Sequence, residues 1–184
     1  MLEIISDETI FQDATEGYRY HKETCPSCGA VGSLSAYGSY SRNLVYHKGG
    51  KNTDSRVKPL RFKCKSCSTT HALFPDIIIP YSSYSLSFVL TVLIAYFDRK
   101  TTVVNICEQF GIAVSTMYEW KKRMAEHKEL MLGIFISRKT STLAFLRDLL
   151  ESCALSETLR TFFHKYDFSL LQNRPTSASR NRPP

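Results

Sequence analysis

The sequence predicts an α+β fold, a small β region followed by an all-α region, and three observations carry that expectation. Two C-x-x-C pairs, Cys25/Cys28 and Cys64/Cys67, bracket short extended runs rich in Gly, Ser, Tyr and Lys. After Pro75 the composition turns apolar, with leucines at helical spacing. A break at Gly111-Ile112-Ala113 then separates two short helical patterns.

The first stretch, residues 1–20, is weakly periodic and lies within an acidic segment. Residues 1–24 hold six acids against Arg19 and Lys22. It reads as an arm, and it lacks the basic, apolar leader of an exported chain, so a cytoplasmic location is expected. Residues 21–75 follow as a β region. Ser33–Tyr40, Asn43–His47 and Val57–Lys63 are its extended runs, and His47 to Asp54 reads as a turn-forming connection around Gly49-Gly50.

The cysteines give this region its chemistry. A C-x-x-C turn lets two thiolates face one ion, and two such turns supply the four ligands of a closed tetrahedral Zn²⁺ site. The 35 residues between Cys28 and Cys64 exceed the usual spacing, which an inserted hairpin would explain. A rubredoxin-like iron site would use the same four ligands, whereas a thioredoxin-type redox pair would leave the second C-x-x-C without a role. His21 and His71 could substitute as ligands but are expected at the surface. Zinc through Cys25, Cys28, Cys64 and Cys67 is the expected cofactor, and its loss is expected to unfold residues 21–75.

Charge is concentrated in the same region. The 184 residues carry a formal net charge of +7. Residues 41–72 hold eight bases and only Asp54 as an acid, so this block matches the charge of the whole chain. Four thiolates and one Zn²⁺ would lower the total to about +5. Such clustering suggests a polyanionic partner, with Arg42, Lys48, Lys51 and Lys58 as candidate contacts.

Beyond Pro75, 21 uncharged residues run from Ile77 to Phe97. Pro80 and Tyr81-Ser-Ser-Tyr-Ser85 interrupt them, leaving about a dozen apolar residues, the length of a core helix and not of a membrane span. Leu86, Leu90, Leu93 and Phe97 share one stripe, with Val89 beside them. Helices are then expected over Thr102–Phe110 and Val114–Glu126. Ile106, Phe110, Ile112, Met117 and Trp120 would face one core, Cys107 would allow close approach, and Gly111 would occupy the sharp turn. This is the pattern of a DNA-reading helix-turn-helix, whose second helix enters the major groove. A plain αα-hairpin used for packing has the same apolar pattern. The outward residues of the second helix are Ser115, Thr116, Tyr118, Glu119, Lys121 and Lys122, with Arg123 also suited to phosphates. Ala113 stands where a capping Ser or Thr is common. Further helices are expected near Ser141–Cys153 and Ser156–Asp167. The Pro-, Ser- and Arg-rich tail 173–184 is expected to be disordered.

CPSCG, RFKCKSC, the Leu73–Tyr81 linker LFPDIIIPY and FGIAVSTMYEW together resemble the N-terminal zinc ribbon and helix-turn-helix of bacterial insertion-sequence transposases, and more closely the uncharacterised transposase-derived proteins built from those parts. The resemblance covers about residues 21–125. It implies a zinc ribbon over 21–75, a helix-turn-helix region over 82–128 with Val114 to Lys122 as recognition helix, and C-terminal helices over 129–172. In such families a separate downstream domain with a carboxylate triad performs catalysis. Here 58 residues follow Glu126, and Glu129, Asp148, Glu151, Glu157 and Asp167 sit among helical patterns without alternating strands. The expectation is therefore a non-catalytic, zinc-stabilised protein that binds double-stranded DNA in a transposase-derived or regulatory role. A homodimer or a separately encoded transposase catalytic subunit would be its protein partners. The rival expectation is a protein-interaction adaptor with a structural zinc ribbon.

Overall fold

The computed structural model describes residues 18–48, 50–75, 78–132, 141–152 and 155–173. The expected arm up to residue 17, Gly49, the side chain of Lys48, Cys153 and the tail from residue 174 lie outside the described residues. The architecture is α+β: an antiparallel β unit up to Ile78, and a helical unit from Ile79 onward.

Among the described residues, the β unit contains five strands, β1 Leu34–Ser39, β2 Arg42–Lys48, β3 Lys51–Val57, β4 Leu60–Cys64 and β5 Thr70–Ala72, preceded by a 3-10 turn at Tyr20–Lys22. One sheet has the order β1-β4-β5, and β2-β3 forms a separate hairpin inserted between β1 and β4. Both sheets are antiparallel. Alternation along β4 sets the layering. Leu60, Phe62 and Cys64 face a core that includes Cys25 and Leu34, while Arg61 and Lys63 point to the other face. Tyr20 stacks on Phe62 with ring centroids 4.8 Å apart, so the 3-10 turn seals this core. The hairpin has a core of its own, made from Leu44, Val57 and Ile78 with Phe74 against them.

The expected connection between His47 and Asp54 is corrected by the structure. β2 continues to Lys48, which pairs with Lys51, and Lys51–Val57 is a full strand in register with β2. The sequence KNTDSRV hides this strand because it presents mainly polar side chains and buries only Val57. Gly50, at φ 79°, supplies the left-handed backbone of the tight turn. The three-residue strand β5 is likewise too short for its alternation to be read from sequence.

The helical unit comprises α1 Leu86–Asp98, α2 Val103–Phe110, α3 Val114–Leu132, α4 Thr142–Glu151 and α5 Leu155–Tyr166. Three starts are capped by side-chain oxygens: Ser85 accepts from the Phe88 N–H, Thr102 from Asn105 and Ser141 from Ala144. α1 is the central element. Leu86, Phe88, Val89, Leu90, Val92 and Leu93 are all buried, more than the single expected stripe, and Phe97 is only half-buried. Each fully buried side chain of this size contributes about 1.5–3 kcal/mol. Phe88 meets Phe110 and Trp120 edge-on, at 5.9 and 6.2 Å, joining α1, α2 and α3. Asp98 contacts Lys100 at 2.7 Å and Arg147 at 3.2 Å, tying α1 to α4; the hydrogen bond from Lys100 and both positive charges lower its pKa. After α5 the chain folds back over α3, where the buried His127 accepts a hydrogen bond at Nδ1 from the Leu171 N–H, 2.8 Å away. Among the described residues, no helix is long and apolar enough to cross a membrane.

Candidate metal centre

The two C-x-x-C turns are built alike. In the first, the Cys25 N–H donates to the Ala30 carbonyl and the Gly29 N–H donates to the Cys25 carbonyl. In the second, the Cys64 N–H donates to Thr69 and the Ser68 N–H donates to Cys64. All four bonds are 2.9 Å. Each turn needs a left-handed residue just after its second cysteine, met by Gly29 at φ 74° and Ser68 at φ 61°. The isolated bridge Thr24–Val31 steadies the first turn, and β4 with β5 flank the second.

These turns bring Cys25, Cys28, Cys64 and Cys67 together, with all four sulfurs within 4.8 Å of one another. Cys25 Sγ lies 3.8 Å from Cys67 Sγ, and Cys28 Sγ lies 3.7 Å from Cys64 Sγ. A tetrahedral ion about 2.3 Å from each sulfur requires edges of about 3.8 Å between them. The cluster therefore has the dimensions of a four-thiolate metal centre, and the 35-residue gap is taken up by β1, the β2-β3 hairpin and most of β4. Cys107, buried in the helical unit with its thiol pKa raised by desolvation, stands apart from this site.

The electrostatics follow from crowding. The Ser33 hydroxyl, 3.2 Å from the sulfur, and the backbone N–H groups of Cys67 and Ser66 bring Cys64 down to about 5. The hydroxyl and N–H of Thr69 lower Cys67 as well. Cys28 moves the other way: the Ala30 N–H favours its thiolate, but desolvation and the three neighbouring sulfurs outweigh that and raise it to about 12. Four thiolates this close repel one another, so only a bound cation would let all of them ionise.

His71 is the residue whose position the sequence did not convey. The expectation of a surface histidine is corrected. It pairs with Phe62 across β4 and β5, is half-buried, and brings Nε2 to 3.4 Å from Cys25 Sγ. Donation from Nε2–H to a Cys25 thiolate would orient a ligand from outside the coordination sphere. His21 is exposed, as expected.

The candidate DNA contacts fall in both units. Ser115, Tyr118, Glu119 and Lys122 are exposed on α3, and Thr116 is half-buried. Lys121 extends its Nζ over the rings of Tyr96 and Tyr118, 5.0 and 5.7 Å from their centroids. Arg123 approaches Glu119 at 3.8 Å. The expected packing set of Ile106, Cys107, Phe110, Ile112, Met117 and Trp120 is buried, and Gly111 has φ 57°. In the β unit Lys51 and Lys58 are exposed. Arg42 instead stacks on Phe74 at 5.2 Å, and burial lowers its pKa.

One protein family, described as a domain of unknown function (DUF6431), has a profile that matches residues 25–120. The chain belongs to the DUF6431 family. No curated protein and no solved structure matches it. The DUF6431 match begins at the first cysteine of the cluster and ends at Trp120, so it takes in all four sulfurs, α2, the glycine turn and α3 only as far as Trp120.

Proposed function

We propose that this DUF6431 protein is a zinc-stabilised, non-catalytic protein that binds double-stranded DNA, in a transposase-derived or regulatory role. The observation that carries the reading is the outward face of α3. Behind a glycine turn and a buried Ile106–Phe110–Trp120 core, Ser115, Tyr118, Glu119 and Lys122 are exposed together. That arrangement suits base-edge contact near the start of the helix and phosphate contact further along. The basic block at 41–72 supports it with charge. Four sulfurs at tetrahedral spacing support zinc, which has no redox demand and accepts an all-thiolate shell.

Duplex binding measured by fluorescence anisotropy over a salt series tests the DNA assignment. Lys121→Ala with Lys122→Ala is expected to weaken binding on every sequence and to reduce the slope of log affinity against log salt by about 2. Ser115→Ala or Tyr118→Ala should instead narrow the gap between preferred and random duplexes, by about 1–3 kcal/mol. Unchanged affinity and selectivity in all of these variants would refute the assignment to α3. Elemental analysis of purified protein tests the metal: one zinc per chain is expected, and stoichiometric iron would replace that part of the reading.

A further inference from the structure

The solvent face of the β1-β4-β5 sheet carries an aromatic and cationic group that the α3 reading does not use. The β1-β4 register slips between Ala36 and Gly38, leaving Tyr37 as an extra, bulged residue. Gly38 follows at φ 127°, a conformation that favours glycine, so the bulge is built into the local sequence. Tyr37 is 54% exposed. Arg61 and Lys63, on the outward face of β4, place their charges 5.4 and 5.6 Å from the centre of its ring. Neither has an acidic partner among the described residues, and Arg61 is steadied by donating to Thr70 Oγ1 at 3.2 Å.

We infer that Tyr37, Arg61 and Lys63 form a binding site for single-stranded nucleic acid, in which an unpaired base stacks on Tyr37 and the flanking phosphates pair with Arg61 and Lys63. An exposed aromatic ring with two cations beside it matches both parts of a nucleotide, and stacking accepts any base because every base has a π-face. Charge complementarity favours this occupant over an apolar partner, since the only acid in residues 41–72 is Asp54. The site stands on the β unit and does not depend on the assignment of α3 as a duplex reader.

The test uses the full chain, an oligodeoxythymidylate about 12 nucleotides long, and heparin as a polyanion without bases. Tyr37→Ala is expected to weaken oligodeoxythymidylate binding by about tenfold or more, with Tyr37→Phe close to wild type and heparin binding unchanged. Arg61→Gln with Lys63→Gln should weaken both ligands. Retained heparin binding by Tyr37→Ala also shows that the variant is folded. The loss caused by Tyr37→Ala should be of the same fold when Lys121→Ala and Lys122→Ala are also present, which separates this site from the α3 surface. The inference is overturned if Tyr37→Ala binds the oligonucleotide as wild type does, or if it loses heparin to the same extent.

Discussion

Ser68 and Gly29 occupy equivalent places in the two cysteine turns, yet only one of them is glycine. Both have left-handed backbone, at φ 61° and 74°. For an L-residue that conformation costs about 1–2 kcal/mol, partly offset by the smaller entropy that serine loses on folding. Ser68→Gly is therefore expected to stabilise the metal-loaded β unit by about 0.5–1 kcal/mol, and Gly29→Ala to destabilise it by a similar amount. A Cβ on Gly29 would meet nothing within 4 Å, so the loss would reflect backbone conformation and not a clash. Denaturant unfolding of zinc-saturated protein measures both. Equal midpoints for the two variants would show that the turns do not store this strain. The same scale explains why His71 escaped sequence reading. A lone histidine four residues past a cysteine pair has no signature, and only the pairing of β5 with β4 brings it to Cys25.

At the scale of elements, the α2-turn-α3 segment depends on Gly111, whose N–H closes α2 onto the Cys107 and Glu108 carbonyls. Gly111→Val would force a β-branched residue to φ 57° and is expected to cost the helical unit about 1–2 kcal/mol. Arg99 ends α1 at φ 55° without being glycine, so Arg99→Gly should change stability in the opposite direction. Thermal unfolding followed at 222 nm distinguishes the two, and a neutral Gly111→Val would mean that the turn relaxes freely. This segment was legible in the sequence because apolar spacing and a glycine break are local signals. The polar strand β3 was not, because its place is set by pairing with β2 and not by its own side chains.

The whole molecule has two units with separate cores. Among the described residues, the β unit has two small clusters, each of a few buried residues, one containing Cys25 and Cys64, whereas the helical unit buries Phe88, Met117, Leu146 and Phe162 completely. Metal removal by a chelator is expected to unfold the β unit and leave residues 86–132 protected in hydrogen exchange. Protection retained throughout 34–72 after removal would contradict it. Acid should act like the chelator. A bound metal would depress the cysteine pKa values below their unfolded value of about 8.5, so the stability it would provide is expected above that pH and is expected to be lost as the pH falls through the depressed values. The sequence by itself determined the α+β class, the four-cysteine set and the glycine-hinged helices, since each is written in spacing over a few residues. Tertiary structure alone decided that the sulfurs meet at tetrahedral distances, that His71 approaches Cys25, and that Tyr37 lies beside Arg61 and Lys63. Those are contacts between residues more than 20 positions apart, and their formation depends on strand pairing that no local pattern encodes.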